Sequence, residues 1–285
     1  AASRRYGDTL ALDNVTLDVT AGELVGLLGP NGAGKSTLVS LLTGIRRPSS
    51  GRVELCGGDP RRPASRQSLG VTPQETGLPS SLRVGEVVDF VRAHFPDPLS
   101  RDEVLGRFGL TDLVRRQTGG LSGGQKRRVA VALAFVGRPR IVFLDEPTTG
   151  LDVEARRSLW DGIRAFHADG GTVVLTSHYL EEIEALARRV VVIGGGRVLA
   201  DDTVAAVRGL VAIRRVSITS SGPLPALDGL IGVEADGDRQ HLLTPDADRL
   251  VRDLVRHDVP FHDLEVRPTS LEEAFLTLTH EPAAA

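Results

Sequence analysis

Apolar residues along the first 200 positions occur in short runs separated by glycine and polar clusters, a pattern typical of alternating strands and helices. Continuous apolar runs predict buried strands at 23–28, 141–144, 172–177 and 190–193. Helical spacing follows several of them, as in Leu159, Trp160, Ile163 and Phe166. Buried strands that alternate with helices predict an α/β fold built on a parallel sheet.

Three weaker segments predict additional strands. Positions 12–19 alternate, with Val15, Leu17 and Val19 on one face, which predicts an antiparallel strand. A short strand is expected at 51–58, and another at 68–74 that runs out into a loop. A hairpin through glycines 194–196 closes this part of the chain.

Between about 75 and 138 the pattern becomes helical. Positions 84, 87, 88, 91 and 95 are apolar at helical spacing. Ser100 and Glu103 form a capping box for a second helix that stops near Gly109. Ser122 is the expected N-cap of an apolar helix that follows. We interpret 75–138 as a helical insertion in the sheet.

A change of pattern near residue 210 predicts two domains, 1–210 and 211–285. In the second, strands are expected at 211–219, 231–235, 239–243 and 261–266, with a helix at 246–257. A last amphipathic helix is expected at 271–278. These elements predict a small C-terminal α/β region.

Composition narrows the classes of function. The hydrophobic fraction of 41% and the net charge of −3 are those of a globular protein and give no signal for nucleic acid, so no nucleic-acid partner is expected. The longest uncharged apolar run, 129–137, is half a membrane span. The single Cys56 is expected to pack at a strand end, in a reducing compartment. Because the sequence contains no Met, we expect residues, and part of a first strand, to precede it.

The most informative stretch is 29–37, GPNGAGKST, which has the form G-x-x-x-x-G-K-[ST] between a predicted strand and a predicted helix. In that setting the glycines turn backbone N–H groups inward, and the helix N-terminus adds partial positive charge. Lys35 can reach outer phosphates, and Ser36 is placed to bind Mg²⁺. The stretch predicts a nucleotide-phosphate site.

Acidic residues end the strand at 141–144. Asp145 and Glu146 lie at the carboxyl edge of a parallel strand, where α/β sheets bind ligands. Asp145 is suited to hold Mg²⁺ and Glu146 to polarise an attacking water. His178 follows the next strand, and we expect it to meet a γ-phosphate. The Ser122-Gly123-Gly124 helix start also exposes N–H groups and a hydroxyl to an anion.

Taken together, these motifs resemble those of the nucleotide-binding subunits of ATP-binding cassette (ABC) transporters, in order, over about residues 1–210. GPNGAGKST is similar to the Walker A loop, VTPQE at 71–75 to the Q-loop, LSGGQ at 121–125 to the family signature and IVFLDEP at 141–147 to Walker B. TTGLD at 148–152 looks like the D-loop and His178 like the switch histidine. The resemblance implies a P-loop NTPase fold, with a RecA-like core, an antiparallel β subdomain and a helical insertion.

The resemblance also implies an active ATPase with ATP and Mg²⁺ as its cofactors. The implied catalytic residues are Lys35, Gln74, Glu146 and His178, and the implied metal ligands are Ser36, Gln74 and Asp145. ATP would be bound by Tyr6, which matches the adenine-stacking aromatic, and by Asn31, Gly32, Ala33, Gly34, Lys35, Ser36 and Thr37. Further residues implied to bind ATP, across the dimer interface, are Ser122, Gly123, Gly124, Gln125 and Asp152.

In this family two cassettes pair head to tail around two ATP molecules, so a second copy or a paralogous cassette is the implied partner. A separately encoded membrane permease is the other, and its coupling helix would meet the loops near Gln74 and the helical insertion. The chain would then act at the cytoplasmic face of the plasma membrane. The ending RPTSLEEAFLTLT at 267–279 is similar to tails of antibiotic- and drug-resistance export ATPases. This favours export of a drug, antibiotic or lipid-like molecule.

Four alternative functions can be compared with the sequence. An importer cassette is the main alternative, because the catalytic core does not encode direction. Soluble cassettes of DNA repair or translation carry long coiled coils or two cassettes, and neither pattern occurs in this sequence. A GTP-binding switch needs an N-K-x-D motif, and lysine occurs only at 35 and 126. A small-molecule kinase would have no use for LSGGQ.

Overall fold

The computed structural model describes residues 1–72, 77–177, 180–210, 214–220, 224–225, 227–230 and 232–268. The chain divides into two compact units, Ala1–Asp202 and Thr203–Ala285. The division therefore precedes the boundary expected after residue 210, and a helix that the pattern does not predict, Val204–Leu210, opens the second unit. Among the residues described, no helix combines the length and the apolar character needed to cross a bilayer.

The strands, in chain order, are β1 Ala2–Tyr6, β2 Thr9–Val15, β3 Leu24–Leu28, β4 Ser50–Gly51, β5 Leu69–Thr72, β6 Ile141–Asp145, β7 Thr172–Thr176, β8 Arg189–Gly194, β9 Arg197–Thr203, β10 Arg214–Thr219, β11 Gly232–Asp236, β12 Arg239–Thr244 and β13 His262–Pro268. The helices are α1 Lys35–Leu42, α2 Pro63–Arg66, α3 Val84–Arg92, α4 Arg101–Arg107, α5 Gly123–Leu133, α6 Val153–Ala168, α7 Leu180–Leu186, α8 Val204–Leu210 and α9 Ala247–Arg256. Two short 3₁₀ turns cover Thr111–Leu113 and Thr118–Gly120.

Six strands form the core sheet in the order β5-β6-β7-β3-β8-β9. The pairs from β5 to β8 are parallel, as the buried apolar runs predict. In the register of this sheet, Asp145 of β6 pairs with Thr176 of β7, and Thr176 lies opposite Leu27 of β3. The carboxyl ends of β3, β6 and β7 therefore meet at one edge, although they are far apart in sequence.

The small antiparallel sheet, ordered β2-β1-β4, corrects two expectations. The strand expected at 12–19 ends at Val15, and Leu17 and Val19 pack partly buried against the core without belonging to a strand. Burial of apolar side chains, rather than strand pairing, explains the alternation there. The strand expected at 51–58 is also wrong, because only Ser50–Gly51 pairs with β1.

Cys56 is exposed rather than packed, contrary to the expectation. Residues 55–58 form a tight reverse turn, in which the N–H and C=O groups of Leu55 and Gly58 bond to each other over 2.8 and 3.0 Å. Cys56 and Gly57 both have positive φ at the centre of this turn. The two positive φ values turn the chain back on itself at Cys56 and Gly57, which leaves the Cys56 side chain exposed.

The helical insertion forms as predicted from α3 to α5. Its capping box is present, since the Ser100 hydroxyl accepts from the Glu103 N–H at 3.2 Å and the Glu103 carboxylate accepts from the Ser100 N–H at 2.8 Å. Phe108, Phe135 and Phe166 join the insertion to α6, with ring centroids 4.8 and 5.0 Å apart. This aromatic cluster packs the segments that follow α4 and α5 against α6.

The second unit contains an antiparallel sheet ordered β11-β12-β10-β13, with α9 packed on it. The predicted strands and helix of this region are confirmed where the structure describes them. Its core includes Val216, Leu242, Leu250 and Leu254. The helix expected at 271–278, and most of the tail that resembles export ATPases, lie outside the described residues.

Candidate active site

The glycine-rich loop between β3 and α1 has the backbone that a phosphate site requires. Gly32 and Gly34 have φ of +80° and +108°, a region that favours glycine. At Gly34 a Cβ would also lie 2.7 Å from the carbonyl oxygen of Ala11, so no side chain fits there. Helix α1 begins after Gly34 with no side chain capping its first turn. Its first N–H groups therefore face outward as an anion site.

Lys35 lies in this loop with its ammonium directed along the backbone. Its Nζ donates to the carbonyl oxygens of Gly29 at 2.6 Å and Pro30 at 3.1 Å, and the side chain is buried. Burial lowers the pKa of Lys35, while the nearby charges of Glu146 and Asp145 act in the opposite direction. An ammonium has three protons, so these two bonds leave one for a phosphate oxygen. Lys35 thus lies within electrostatic reach of the two acidic residues that follow β6.

Asp145 is held by a strand neighbour that the sequence analysis did not single out. The Thr176 hydroxyl donates to Asp145 Oδ1, and it accepts from the Glu146 N–H at 3.0 Å. The Thr176 carbonyl oxygen also accepts from the Glu146 N–H, at 3.1 Å. Thr176 is fully buried, so these bonds are made without competition from water. Thr176 therefore orients both acids at the sheet edge.

Glu146 adopts a left-handed backbone conformation with φ of +50°. Such a conformation costs a residue with a Cβ about 1–2 kcal/mol, and it persists where surrounding contacts determine it. On the N–H side the contact is Thr176, and on the carbonyl side it is the buried guanidinium of Arg127, which donates to the carbonyl oxygens of Asp145 and, at 3.0 Å, Glu146. Thr149 also donates to Glu146, from its N–H to the carbonyl oxygen at 3.3 Å and from its hydroxyl to Oε2 at 3.4 Å. The turn and the Thr149 hydroxyl together direct the Glu146 side chain.

A second buried acidic side chain lies near the same sheet edge. Glu182 of α7 is fully buried, and it accepts from Trp160 Nε1 of α6 at 3.1 Å. Burial raises the pKa of Glu182, and side-chain hydrogen bonds with Ser177 and Trp160 oppose that rise. Ser177 follows β7. Glu182 thus connects the segment that leaves β7 with α6.

The N-terminus of α5, at Ser122, is capped and exposed. The Ser122 hydroxyl accepts from the Gln125 N–H at 3.2 Å, and the Gln125 side chain accepts from the Ser122 N–H at 3.1 Å. The predicted N-cap is confirmed as a full capping box. A hydroxyl that accepts one bond keeps its own proton, so Ser122 can still donate to an anion. Ser122 and Gly123 are exposed, while Gly124 is half-buried beside Gly150 and Leu151.

Two further predicted residues lie on adjoining elements. Asp152 is the N-cap of α6, and its Oδ1 accepts from the Ala155 N–H at 2.8 Å. Tyr6, at the end of β1, is 36% exposed, with the guanidinium carbons of Arg4 and Arg46 4.5 and 5.3 Å from its ring centroid. The neighbouring strand β2 packs against Gly34 of the glycine-rich loop. Tyr6 therefore belongs to the sheet that flanks that loop.

Gln74 and His178 lie outside the described residues, so their roles stay predictions. Three residues of the site were not predicted from the sequence: Arg127, Thr176 and Glu182. For Thr176, the sequence offered one signal, a hydroxyl at the last position of a buried strand. Arg127 and Glu182 looked like solvated charges on amphipathic helices, and only tertiary packing buries them.

Comparison with known proteins decides the family. A family model described as "ABC transporter" matches residues 12–149. The chain is 38% identical to daunorubicin resistance ATP-binding protein DrrA3 of Streptomyces coeruleorubidus, over 98% of this chain and 94% of that protein. This chain belongs to the ABC transporter family. The subunit is therefore an ABC ATPase with the P-loop NTPase fold that the motifs predicted.

Other relatives and solved structures agree with this assignment. The ABC ATPase is 35% identical to doxorubicin resistance ATP-binding protein DrrA of Mycobacterium tuberculosis, covering 97% of this chain and 90% of that one. A solved ATP-binding subunit of an ABC transporter superposes with a TM-score of 0.67 at 28% identity, covering 73% of this chain and 90% of that chain. A dimeric cassette in a post-hydrolysis state, bound to ADP and Pi, superposes at 0.64 with 25% identity, covering 71% and 95%.

Proposed function

We propose that this ABC ATPase hydrolyses ATP with Glu146 as the residue that polarises the attacking water and Lys35 as the ligand of the outer phosphates. The observation that carries the proposal is the cluster at the carboxyl edge of the core sheet, where Lys35 faces the charges of Asp145 and Glu146. Tyr6 would stack on adenine, and residues 31–37 would wrap the phosphates. Gln74 and His178 would complete the site around the γ-phosphate.

Mg²⁺ is the metal that these residues suit. Within the described parts of the chain, no group of three or more His, Cys, Asp or Glu side chains is arranged to hold a metal ion. Mg²⁺ does not need one, because it commonly binds through one or two carboxylates, water and substrate phosphates. Asp145, fixed by Thr176, and the Ser36 hydroxyl would supply the protein ligands, with Gln74 as a third. The ion would offset charge on the phosphates.

We further propose that the cassette works as a head-to-tail dimer, with a second copy or a paralogous cassette as its partner. The exposed Ser122 and Gly123, with Gly124 and Gln125, would bind the γ-phosphate held by Lys35 of the partner, and Asp152 would lie at the same interface. The geometry of Ser122 supports this, because its hydroxyl proton is not used by the capping box. Loss of the shared γ-phosphate would then open the dimer.

The transport partner would be a separately encoded membrane permease, which would keep this subunit at the cytoplasmic face of the plasma membrane. We propose export, of a drug, antibiotic or lipid-like molecule, as the direction. Support comes from relatives named for daunorubicin and doxorubicin resistance. It also comes from Nod factor export ATP-binding protein I of Burkholderia pseudomallei, 42% identical over 70% of this chain and 67% of that protein. The region from 211 onward would be an accessory domain.

The hydrolysis proposal is tested with Glu146→Gln. This variant keeps the shape of the side chain but removes its basicity, so it should bind ATP, stop turnover and accumulate as an ATP-dependent dimer on size exclusion. Lys35→Ala, as the contrasting variant, should weaken ATP binding itself. Hydrolysis by Glu146→Gln at the wild-type rate would overturn the role of Glu146, and wild-type ATP affinity in Lys35→Ala would overturn that of Lys35.

The transport proposal is tested by co-purification from mild detergent. A polytopic membrane protein recovered in near-equal amount would support it, and an inside-out vesicle assay with that complex would give the direction. Uptake into those vesicles corresponds to export from the cell, and an importer would show the reverse. Recovery with ribosomes or DNA in the soluble fraction would overturn the transport role while leaving the ATPase in place.

A further inference from the structure

Arg127 connects two parts of the ATPase that the proposed mechanism treats separately. It lies in α5, one helical turn after Gly123, at the helix start that would bind the partner's ATP. Its guanidinium reaches away from that helix to the carbonyl oxygens of Asp145 and Glu146, which belong to this chain's own site. One side chain therefore joins the signature helix to the turn that aims the catalytic carboxylate.

The contact is made by a buried charge. Arg127 is 5% exposed, and burial lowers the pKa of its guanidinium, while Asp145, Glu146 and Glu182 act in the opposite direction. One nitrogen of the guanidinium, Nη2, donates to both adjacent carbonyl oxygens, so a single charged group holds two successive peptide planes. A neutral side chain at this position would lack the charge that strengthens both bonds.

Arg127 bonds to the backbone at Glu146, which has a strained conformation. Glu146 has a φ of +50°, and its N–H is already fixed from the other side by Thr176. With Arg127 removed, the Glu146 carbonyl oxygen keeps its bond from the Thr149 N–H at 3.3 Å but loses its charged donor, and the turn can relax toward an ordinary conformation. Such a change rotates the Glu146 side chain without removing any group that contacts ATP.

We propose that Arg127 is a positioning residue for hydrolysis, which sets the direction of the Glu146 carboxylate from the signature helix. The inference rests on the proposed role of Glu146. Its consequence is that a displacement of α5 at one ATP site is carried directly to the catalytic carboxylate of the other site, through a single side chain of the same subunit.

The test compares Arg127→Gln with a matched control, Arg128→Gln. Both variants lose one positive charge from α5, but Arg128 reaches Gly109 at the end of α4, with its guanidinium 3.4 Å from that carbonyl oxygen. In hydrogen–deuterium exchange of the nucleotide-free protein, Arg127→Gln should accelerate exchange in peptides covering 145–149, and Arg128→Gln should not. Equal exchange in the two variants would overturn the inference before any activity is measured.

The kinetic arm uses the same variants in the whole protein. A misdirected carboxylate should lower kcat roughly 10- to 100-fold in Arg127→Gln and leave the KM for ATP within about threefold of wild type. Arg127→Lys, which keeps the charge and one donor direction, should recover part of the rate. If the kcat of Arg127→Gln equals that of Arg128→Gln, the positioning role is wrong.

A double variant distinguishes a positioning role of Arg127 from a merely structural one. Combined with Glu146→Gln, Arg127→Gln should cause no further loss of the residual single-turnover rate, because both changes act through one carboxylate. A multiplicative further loss would overturn the inference in favour of a merely structural role. If Glu146→Gln alone hydrolyses ATP like wild type, the proposed function fails instead. The two failures are therefore distinguishable.

Discussion

Replacing Thr176 by valine should destabilise the first unit and slow hydrolysis, because the Thr176 hydroxyl forms hydrogen bonds with both acidic residues. Valine keeps the branched shape, so no cavity forms. The variant removes the donor to Asp145 Oδ1, and a hydrogen bond to a charged group contributes about 1.5–3 kcal/mol. The variant also removes the hydroxyl that accepts from the Glu146 N–H. That loss costs less, because the same N–H still donates to the Thr176 carbonyl oxygen at 3.1 Å.

The expected loss in the free energy of unfolding is therefore about 2–3 kcal/mol. For a unit the size of Ala1–Asp202, each kcal/mol lowers Tm by about 2–4 °C, so the midpoint should fall by roughly 4–12 °C. Because Glu146 is then less well aligned, kcat should also fall. Each loss of about 1.4 kcal/mol in transition-state stabilisation lowers kcat about tenfold.

The assay is urea unfolding followed by tryptophan fluorescence. Trp160 is the single tryptophan of the sequence and lies buried in α6, so the signal reports on the first unit alone. Thr176→Ser is the control, because it keeps the hydroxyl and loses one methyl group, worth about 1 kcal/mol. The role of the Thr176 hydroxyl is refuted if the free energy of unfolding of Thr176→Val lies within about 0.5 kcal/mol of the wild-type value, or if Thr176→Val is more stable than Thr176→Ser.

Two further predictions concern the packing around the site. Burial raises the pKa of Glu182 above its ordinary value of 4.5, so the stability of the wild type falls as the pH rises from 4.5 through the raised, folded-state pKa. Glu182→Gln has no carboxyl group to ionise, so its Tm relative to that of the wild type should climb as the pH rises above 4.5. A Tm difference that stays constant with pH would contradict this. Gly70→Ala should cost about 2–3 kcal/mol, since its Cβ would lie 2.0 Å from the Ala134 carbonyl oxygen, whereas Gly106→Ala, in open space on α4, should stabilise by about 0.5–1 kcal/mol. Equal urea midpoints for those two alanine variants would show that β5 and the end of α5 do not pack as described.

Much of the fold could be predicted because its strongest elements are specified locally. The parallel strands are continuous apolar runs, and Ser100 and Ser122 carry their capping partners three residues away. The glycine-rich loop needs only glycines, a lysine and a helix start, all within nine residues. Each of these signals lies within the window that a sequence pattern covers.

What could not be predicted depends on contacts between distant segments. The strand through Val15 ends early because Leu17 and Val19 are buried by the core rather than by a neighbouring strand. Helix α7, LEEIEAL, has the pattern of a helix with all of its glutamates in water, yet Glu182 is buried against α6. Arg127 is one of three consecutive basic residues, and nothing in their order distinguishes the buried one.

The residues that the pattern missed have a common task. Lys35, Asp145 and Thr176 reach the sheet edge because strands distant in sequence end there in register. Register alone does not aim a side chain, and Glu146 stands one residue beyond its strand in a conformation that a free peptide would leave. Arg127 from α5 and Thr176 from β7 hold that turn from opposite sides, and Glu182 from α7 bonds to Ser177, the residue after Thr176. Since each of these three comes from a different element, the direction of the carboxylate depends on the packing of α5, β7 and α7 together. A change that moves any one of them should alter hydrolysis before it alters nucleotide binding.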